Sequence, residues 1–133
     1  MSDVATPALR ALVAMALLIA TTAVMVVTVA TARAAGALAV GSCGAYGQAY
    51  DFQTLAAARQ SALAQCQGGG CKIVAEVTRG CSAFAVDSAN PCGARGWASG
   101  PRLGGAQNAA LKACYGRGGK DCVIRTFLCD AKG

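Results

Sequence analysis

"SALAQCQGGGCK" (Ser61–Lys72) and "NAALKACYGRGGKDC" (Asn108–Cys122) follow one plan: an alanine-rich run ending in cysteine, a glycine-rich loop, then a second cysteine. Working outward from this pair, the chain aligns on itself. "ALAV" (Ala37–Val40) matches "AFAV" (Ala83–Val86), and "CGAYGQA" (Cys43–Ala49) matches "CGARGWA" (Cys92–Ala98) at five of seven positions. Leu55, Ala58, Ala62, Leu63 and Cys66 match Leu103, Ala106, Ala110, Leu111 and Cys114 at a constant offset of 48, and Cys71 and Ile73 match Cys122 and Ile124. Two copies make a duplication; a solenoid needs three or more stacked units.

Each copy predicts a hairpin, a helix and a strand. "GALAV" and "AYGQAY" are short β-formers around the turn "GSCG". Leu55, Ala58, Ala62 and Cys66 recur at spacings of 3, 4 and 4, one face of a helix, with Thr54 placed as its N-cap. Leu103, Ala106, Ala110 and Cys114 repeat that spacing with Pro101 near the first turn, although Gly104 and Gly105 weaken the start by about 1 kcal/mol each. "CKIVAEV" and "CVIRTFL" then read as strands, and Ile73, Ala75 and Val77 alternate with Lys72, Val74 and Glu76 to give one apolar face. The expectation is an α+β fold of two pseudo-symmetric repeats, residues 37–80 and 83–129, with helices near 54–66 and 103–115, forming an antiparallel sheet with two helices.

Ahead of the repeats, Ala11 to Ala30 is twenty residues without a charge, preceded by Arg10 and followed by "TARAAG". A basic flank, an apolar run and an Ala-x-Ala site at Ala32 and Ala34 read as a secretory signal peptide over residues 1–34. The run is also long enough to span a bilayer, so an uncleaved anchor through residues 11–30 is the alternative, and the only membrane contact the sequence suggests. "VGSC" ending at Cys43 is a loose lipobox too far beyond the apolar run to be read as one. Residues 35–133 form a single domain by length, with ten basic and five acidic residues, a net charge of +5.

All eight cysteines lie in that domain. An even number at this density in a small exported domain reads as a disulfide framework formed in an oxidising compartment, periplasmic or extracellular. The chain has no histidine, and neither Cys66/Cys71 nor Cys114/Cys122 has zinc-ligand spacing, so no metal and no cofactor is expected. A cysteine on the last turn of a helix and one at the start of the next strand are placed to close the loop between them, which predicts Cys66–Cys71 and Cys114–Cys122. Under a pseudo-two-fold, Cys43 with Cys92 and Cys81 with Cys129 are the pairs left to bridge across the axis. Such cross-links supplement a core that is rich in alanine and poor in aromatics.

The succession "GALAV", "GAYGQAYDF", "AAARQSALAQC", "CKIVAEVTRGCSAFAV", "GARGWASG" and "AQNAALKAC" resembles the bacterial family known as domain of unknown function 4189, over about Gly36 to Cys129. The resemblance implies small exported bacterial proteins with a cysteine-stapled α+β domain. It implies no established activity and no catalytic residues. The turn cysteines Cys43 and Cys92 depart from the family's simplest pattern.

Chemistry-bearing residues are sparse. Without histidine the Ser-His and Cys-His nucleophile pairs are excluded. Asp51 and Asp87 are the candidates for a glycosidase-type acid/base pair, but both fall in turns, where aspartate suits the backbone. The spacings Cys66-x4-Cys71 and Cys114-x7-Cys122 are not those of thiol oxidoreductases. "GRGGKD" lacks P-loop order and follows a helix instead of preceding one, and a single "RGG" does not make a nucleic-acid motif. What remains is charge beside aromatics: Tyr46, Tyr50 and Trp97 on the two equivalent hairpins with Arg95, a candidate binding face for an anionic envelope polymer or an acidic protein. Core packing of Trp97 is the competing reading. The sequence thus favours an exported, non-catalytic binding protein of the bacterial cell envelope. An inhibitor or immunity-type protein against an extracellular enzyme, and a carboxylate-based hydrolase, are the alternatives.

Overall fold

The structure, a computed structural model, describes residues 7–29 and 34–130, in two compact units divided between Ala32 and Arg33. The first unit holds one helix, α1 (Pro7–Val29), whose side chains are described as far as Leu18. Among the described residues no helix is long and apolar enough to cross a membrane, and the apolar side chains from Ile19 onward fall outside that statement. Ala32 of the expected cleavage site also lies outside the described residues.

The second unit runs β1 (Ala35–Val40), β2 (Tyr46–Phe52), α2 (Leu55–Gln65), β3 (Lys72–Val77), then β4 (Gly80–Asp87), β5 (Arg95–Gly100), α3 (Leu103–Gly116), β6 (Cys122–Asp130). Its α+β class is as expected. The strands, however, do not join into one sheet. They form two three-stranded antiparallel sheets of orders β2-β1-β3 and β5-β4-β6, so each half has its first strand in the middle.

The reason lies in the four-residue match "ALAV" and "AFAV". Successive side chains on a strand point to opposite faces. In β1, Ala37 and Ala39 pack with Ala58 and Ala62 of α2, whereas Leu38 and Val40 turn the other way. In β4, Ala83 and Ala85 pack with Ala106 and Ala110 of α3, whereas Phe84 and Val86 turn the other way. Leu38, Val40 and Val77 meet Phe84, Val86 and Leu128 in a core between the two sheets. The layers are therefore α2, first sheet, second sheet, α3. Every residue of β1 and β4 is buried, because each central strand is covered on both faces. Fully burying side chains such as Leu38 and Phe84 contributes about 1.5–3 kcal/mol each.

Small residues set how closely each helix lies on its sheet. A Cβ on Gly47 would stand 1.9 Å from the Ala62 carbonyl oxygen, and one on Gly96 would stand 2.4 Å from the Ala110 carbonyl oxygen. The conserved plan of "GAYGQA" and "GARGWA" within this chain is thus a close approach of helix backbone to strand backbone, possible only without a side chain on the strand. Thr54 caps α2, accepting a hydrogen bond from Ala57 N–H at 3.2 Å. Arg102 stands at the corresponding position of α3 without a side-chain cap.

Each outer strand after a helix carries an irregularity at the equivalent place, opposite Leu38/Ala39 in β3 and opposite Phe84/Ala85 in β6. A bulge reverses which side chains face which layer. The expected alternation of Ile73, Ala75 and Val77 is accordingly broken: Ile73 packs toward α2, while Ala75 and Val77 pack between the sheets.

Four disulfides staple the unit: Cys66–Cys71, Cys114–Cys122, Cys43–Cys92 and Cys81–Cys129. The first two join a helix end to the next strand, each with Cα atoms 6.1 Å apart. Cys43–Cys92 joins the hairpin turns of the two halves. Cys81–Cys129 does not bridge the halves. It ties β4 to its neighbour β6, where the two residues are direct partners.

Candidate functional site

The second hairpin and the end of α3 bring two arginines and an indole to one opening. Arg95 begins β5, and Trp97, two residues on, opposes Phe84 and packs on the core between the sheets. Arg117 follows the last turn of α3 as its C-cap, which brings its side chain back over β5. Its guanidinium lies 4.7 Å from the centre of the Trp97 ring, a cation–π contact, and its Nη1 donates to the Arg95 carbonyl at 2.7 Å. Arg95 Nη1 donates to the Gly41 carbonyl of the first half. Gly93, Ala94, Arg95, Trp97 and Arg117 line an open cavity of about 350 Å³.

The electrostatics of this opening are one-sided. No carboxylate lines it. Among the described residues the one ion pair is Arg59–Glu76, far along the chain on α2 and β3, so neither Arg95 nor Arg117 has a carboxylate partner there. Each arginine has five N–H donors and the hydrogen bonds above use one of each. The arrangement can hold an anion by bidentate donation beside an aromatic face.

The structure does not gather the four residues expected on one binding face. Arg95 and Trp97 line the opening, with Trp97 half-buried and serving the core as well. Tyr46 packs on the core between the sheets. Tyr50, 54% exposed, lines a different groove with Gln48, Gln107 and β6. The cause is topological: the two hairpins belong to sheets that face each other, so equivalent positions look toward the interior from opposite sides instead of lying side by side. Arg117 escaped the reading of aromatic-basic clusters because only the helix end brings it back to Trp97. Its position in the loop after a helix was the available signal.

The family described as Domain of unknown function (DUF4189) matches residues 35–129. The chain belongs to that family. It is also similar to a solved structure, the NMR structure of Rv1813c from Mycobacterium tuberculosis, at 26% identity and a TM-score of 0.55, over 73% of this chain and 75% of that one. No curated protein matches the chain. The family match covers the stapled domain.

The carboxylates are separated and differently employed. Asp87 is buried at the end of β4, accepting from the backbone N–H of Lys120 at 3.0 Å and of Ala89 at 3.1 Å. These backbone donors, Lys120 first, hold its carboxyl below the usual carboxylate range. Asp51 is exposed on β2 with φ of 61°, near the other end of the β4–β6 pair, where Asp130 opposes Gly80. The length of β4 separates these ends by more than about 20 Å, so Asp51 and Asp87 do not form an acid/base pair. Asp130 is 2% exposed and neither carboxylate oxygen has a hydrogen-bond partner. Burial, and secondarily the charge of Asp51, push its carboxyl upward. Glu76 is held below its ordinary value by hydrogen bonds from Arg59, whose Nη2 lies 2.9 Å from Oε2. Among the described residues no cluster of three or more ligating side chains could hold a metal ion.

Proposed function

We propose that the chain is an exported, non-catalytic binding protein of the bacterial cell envelope, and that the opening formed by Arg95, Trp97 and Arg117 holds an anionic group of an envelope polymer or an acidic protein. One observation carries this reading: Arg95 and Arg117, neither with a carboxylate partner among the described residues, line one open cavity together with a half-buried tryptophan over which Arg117 is stacked. Export is supported by four disulfides in a domain that contains every cysteine of the chain, behind an apolar segment with an Ala-x-Ala site. The net charge of +6 favours encounter with anionic surfaces.

Trp97 is the only tryptophan in the chain, so its emission reports on this site alone. Titrating the oxidised protein with a soluble phosphodiester polymer and with a polyuronate separates the two anion chemistries. Binding should shift Trp97 emission, weaken as salt rises through the physiological range, and weaken roughly tenfold in Arg117→Ala or Arg95→Ala. Binding that ignores salt and both arginines would remove the site and leave only a structural role for Trp97.

A further inference from the structure

Among the described residues strand β6 is the longest, nine residues, and has a hydrogen-bonded neighbour on one side only, β4. Cys81 and Cys129 stand directly opposite each other with Cα atoms 4.0 Å apart. In an antiparallel pair that short spacing belongs to residues that do not exchange hydrogen bonds. The N–H and C=O of Cys129 therefore point away from β4. Phe127, two residues earlier in the same register, points its backbone groups the same way. An open groove of about 580 Å³ runs along this outer edge, walled by Gln48 and Tyr50 of β2 on one side and Gln107 of α3 on the other. Its floor is the unbroken run 124–129. Consecutive residues, whose side chains alternate between faces, can all border a groove only along a strand's edge. Phe127 is 48% exposed there, and Gln48 accepts from the Thr126 hydroxyl through Oε1.

The equivalent edge in the first half is protected. Strand β3 is six residues long, exposes Lys72 and Glu76, and Glu76 is clasped by Arg59. Short length and charge are the ordinary means of keeping a strand edge from pairing. On the rim of β6, Val123, Arg125 and Phe127 are exposed, a single charge among apolar residues.

We propose that the outer edge of β6 accepts an extended segment of another protein as an added strand, with an acidic side chain against Arg125 and apolar side chains against Phe127 and Tyr50. The backbone groups of Phe127 and Cys129 supply the pairing, and the groove walls supply the selection. Charge chooses the occupant: Arg125 is the charged residue of the lining, no carboxylate lines the groove, and the chain as a whole carries +6. A second copy of this chain is disfavoured on the same ground. The antiparallel self-pairing that sets Phe127 opposite Val123 centres on Arg125 opposite Arg125, and like charges directly opposite destabilise a ladder.

The test is selection of a displayed random nine-residue peptide library on the oxidised full-length chain, followed by resynthesis of the enriched peptides. Enriched sequences should alternate apolar residues and carry Asp or Glu. N-methylation of one alternate set of peptide amides should weaken binding roughly tenfold or more, and methylation of the other set should not. Hydrogen exchange at the amides of Phe127 and Cys129 should slow when peptide is bound, and Arg125→Glu, a change at an exposed side chain, should switch the selected charge from acidic to basic. No enrichment, enrichment unchanged by Arg125→Glu, equal tolerance of N-methylation at both sets, or binding abolished instead by Arg117→Ala would overturn the proposal. So would an oligosaccharide that slows the same two amides when no peptide does.

Discussion

The two halves of the stapled domain share a skeleton and differ in what their loops and edges carry. In the first half, Gly41 lies against the Cys66–Cys71 disulfide, where a Cβ would stand 2.8 Å from Cys71 Sγ. In the second half the corresponding residue is Asp87, whose carboxylate accepts from Lys120 N–H and orders the longer loop between Cys114 and Cys122. The backbone bond Ser42 N–H to Gly69 O has its counterpart in Ser88 N–H to Asp121 O, so the turn-to-loop contact is common while its side-chain support is not. Arg117, in that longer loop, is what completes the opening at Trp97. Both halves run strand, strand, helix, strand with the first strand central, and the second, through a longer loop and a longer last strand, contributes most of the candidate sites.

Among single substitutions, those in the shared part should cost most. Gly47→Ala and Gly96→Ala each force a helix off its sheet, and each should destabilise by about 3 kcal/mol, read from urea midpoints. Equal costs would support equivalent packing in the two halves. Tolerance of one but not the other would break the comparison at its base. Next come the staples. Replacing both cysteines of Cys43–Cys92, a loop of sequence separation 49, should cost about 4 kcal/mol on the chain-entropy estimate, against about 2 kcal/mol for Cys66–Cys71, separation 5. A larger loss from the short loop would mean that helix docking, not linkage of the halves, is what the bonds secure.

The unmatched carboxylates give the comparison a pH axis. Asp130 is raised in the folded state, so its contribution is fully present below the unfolded value near 3.9 and is lost as pH rises through the folded value. Asp130→Asn should therefore stabilise the protein at neutral pH and lose that advantage in acid. Asp87 is lowered, so its contribution is present above about pH 4 and lost as pH falls through its folded value. Asp87→Asn should destabilise at neutral pH and converge on the wild type in acid. Urea midpoints measured from pH 3 to pH 7 distinguish the two, and parallel curves would deny both assignments.

Much of this was legible in the residues. The spacing of Leu55, Ala58, Ala62 and Cys66 placed α2, and its copy placed α3, because a helix leaves a periodic trace that tertiary context did not override. The helix-end and strand-start cysteines were readable for the same local reason. The two sheets were not foreseen: "ALAV" alternates only in size, and nothing apolar-against-polar revealed that both faces of β1 and β4 are covered. Tyr46 and Trp97 lie on equivalent hairpins, but whether such hairpins lie side by side or face to face is decided by sheet packing. Arg117 reaches Trp97 by a non-local return of the chain, and the outer edge of β6 is defined only once its partner strand is known.

The smallest expected effect sharpens the contrast between the two outer strands. Arg59 and Glu76 form a bidentate pair across α2 and β3, but both side chains are substantially exposed, and such pairs contribute little to stability because water and salt screen them. Arg59→Ala should leave the urea midpoint within error of the wild type and raise the Glu76 carboxyl toward its ordinary value, seen by side-chain NMR titration. The pair's role on this reading is to keep a charged clasp over the β3 edge. A marked loss of stability in Arg59→Ala would make the pair a structural tie between helix and sheet. The contrast with β6 would then rest on strand length and on Lys72 alone.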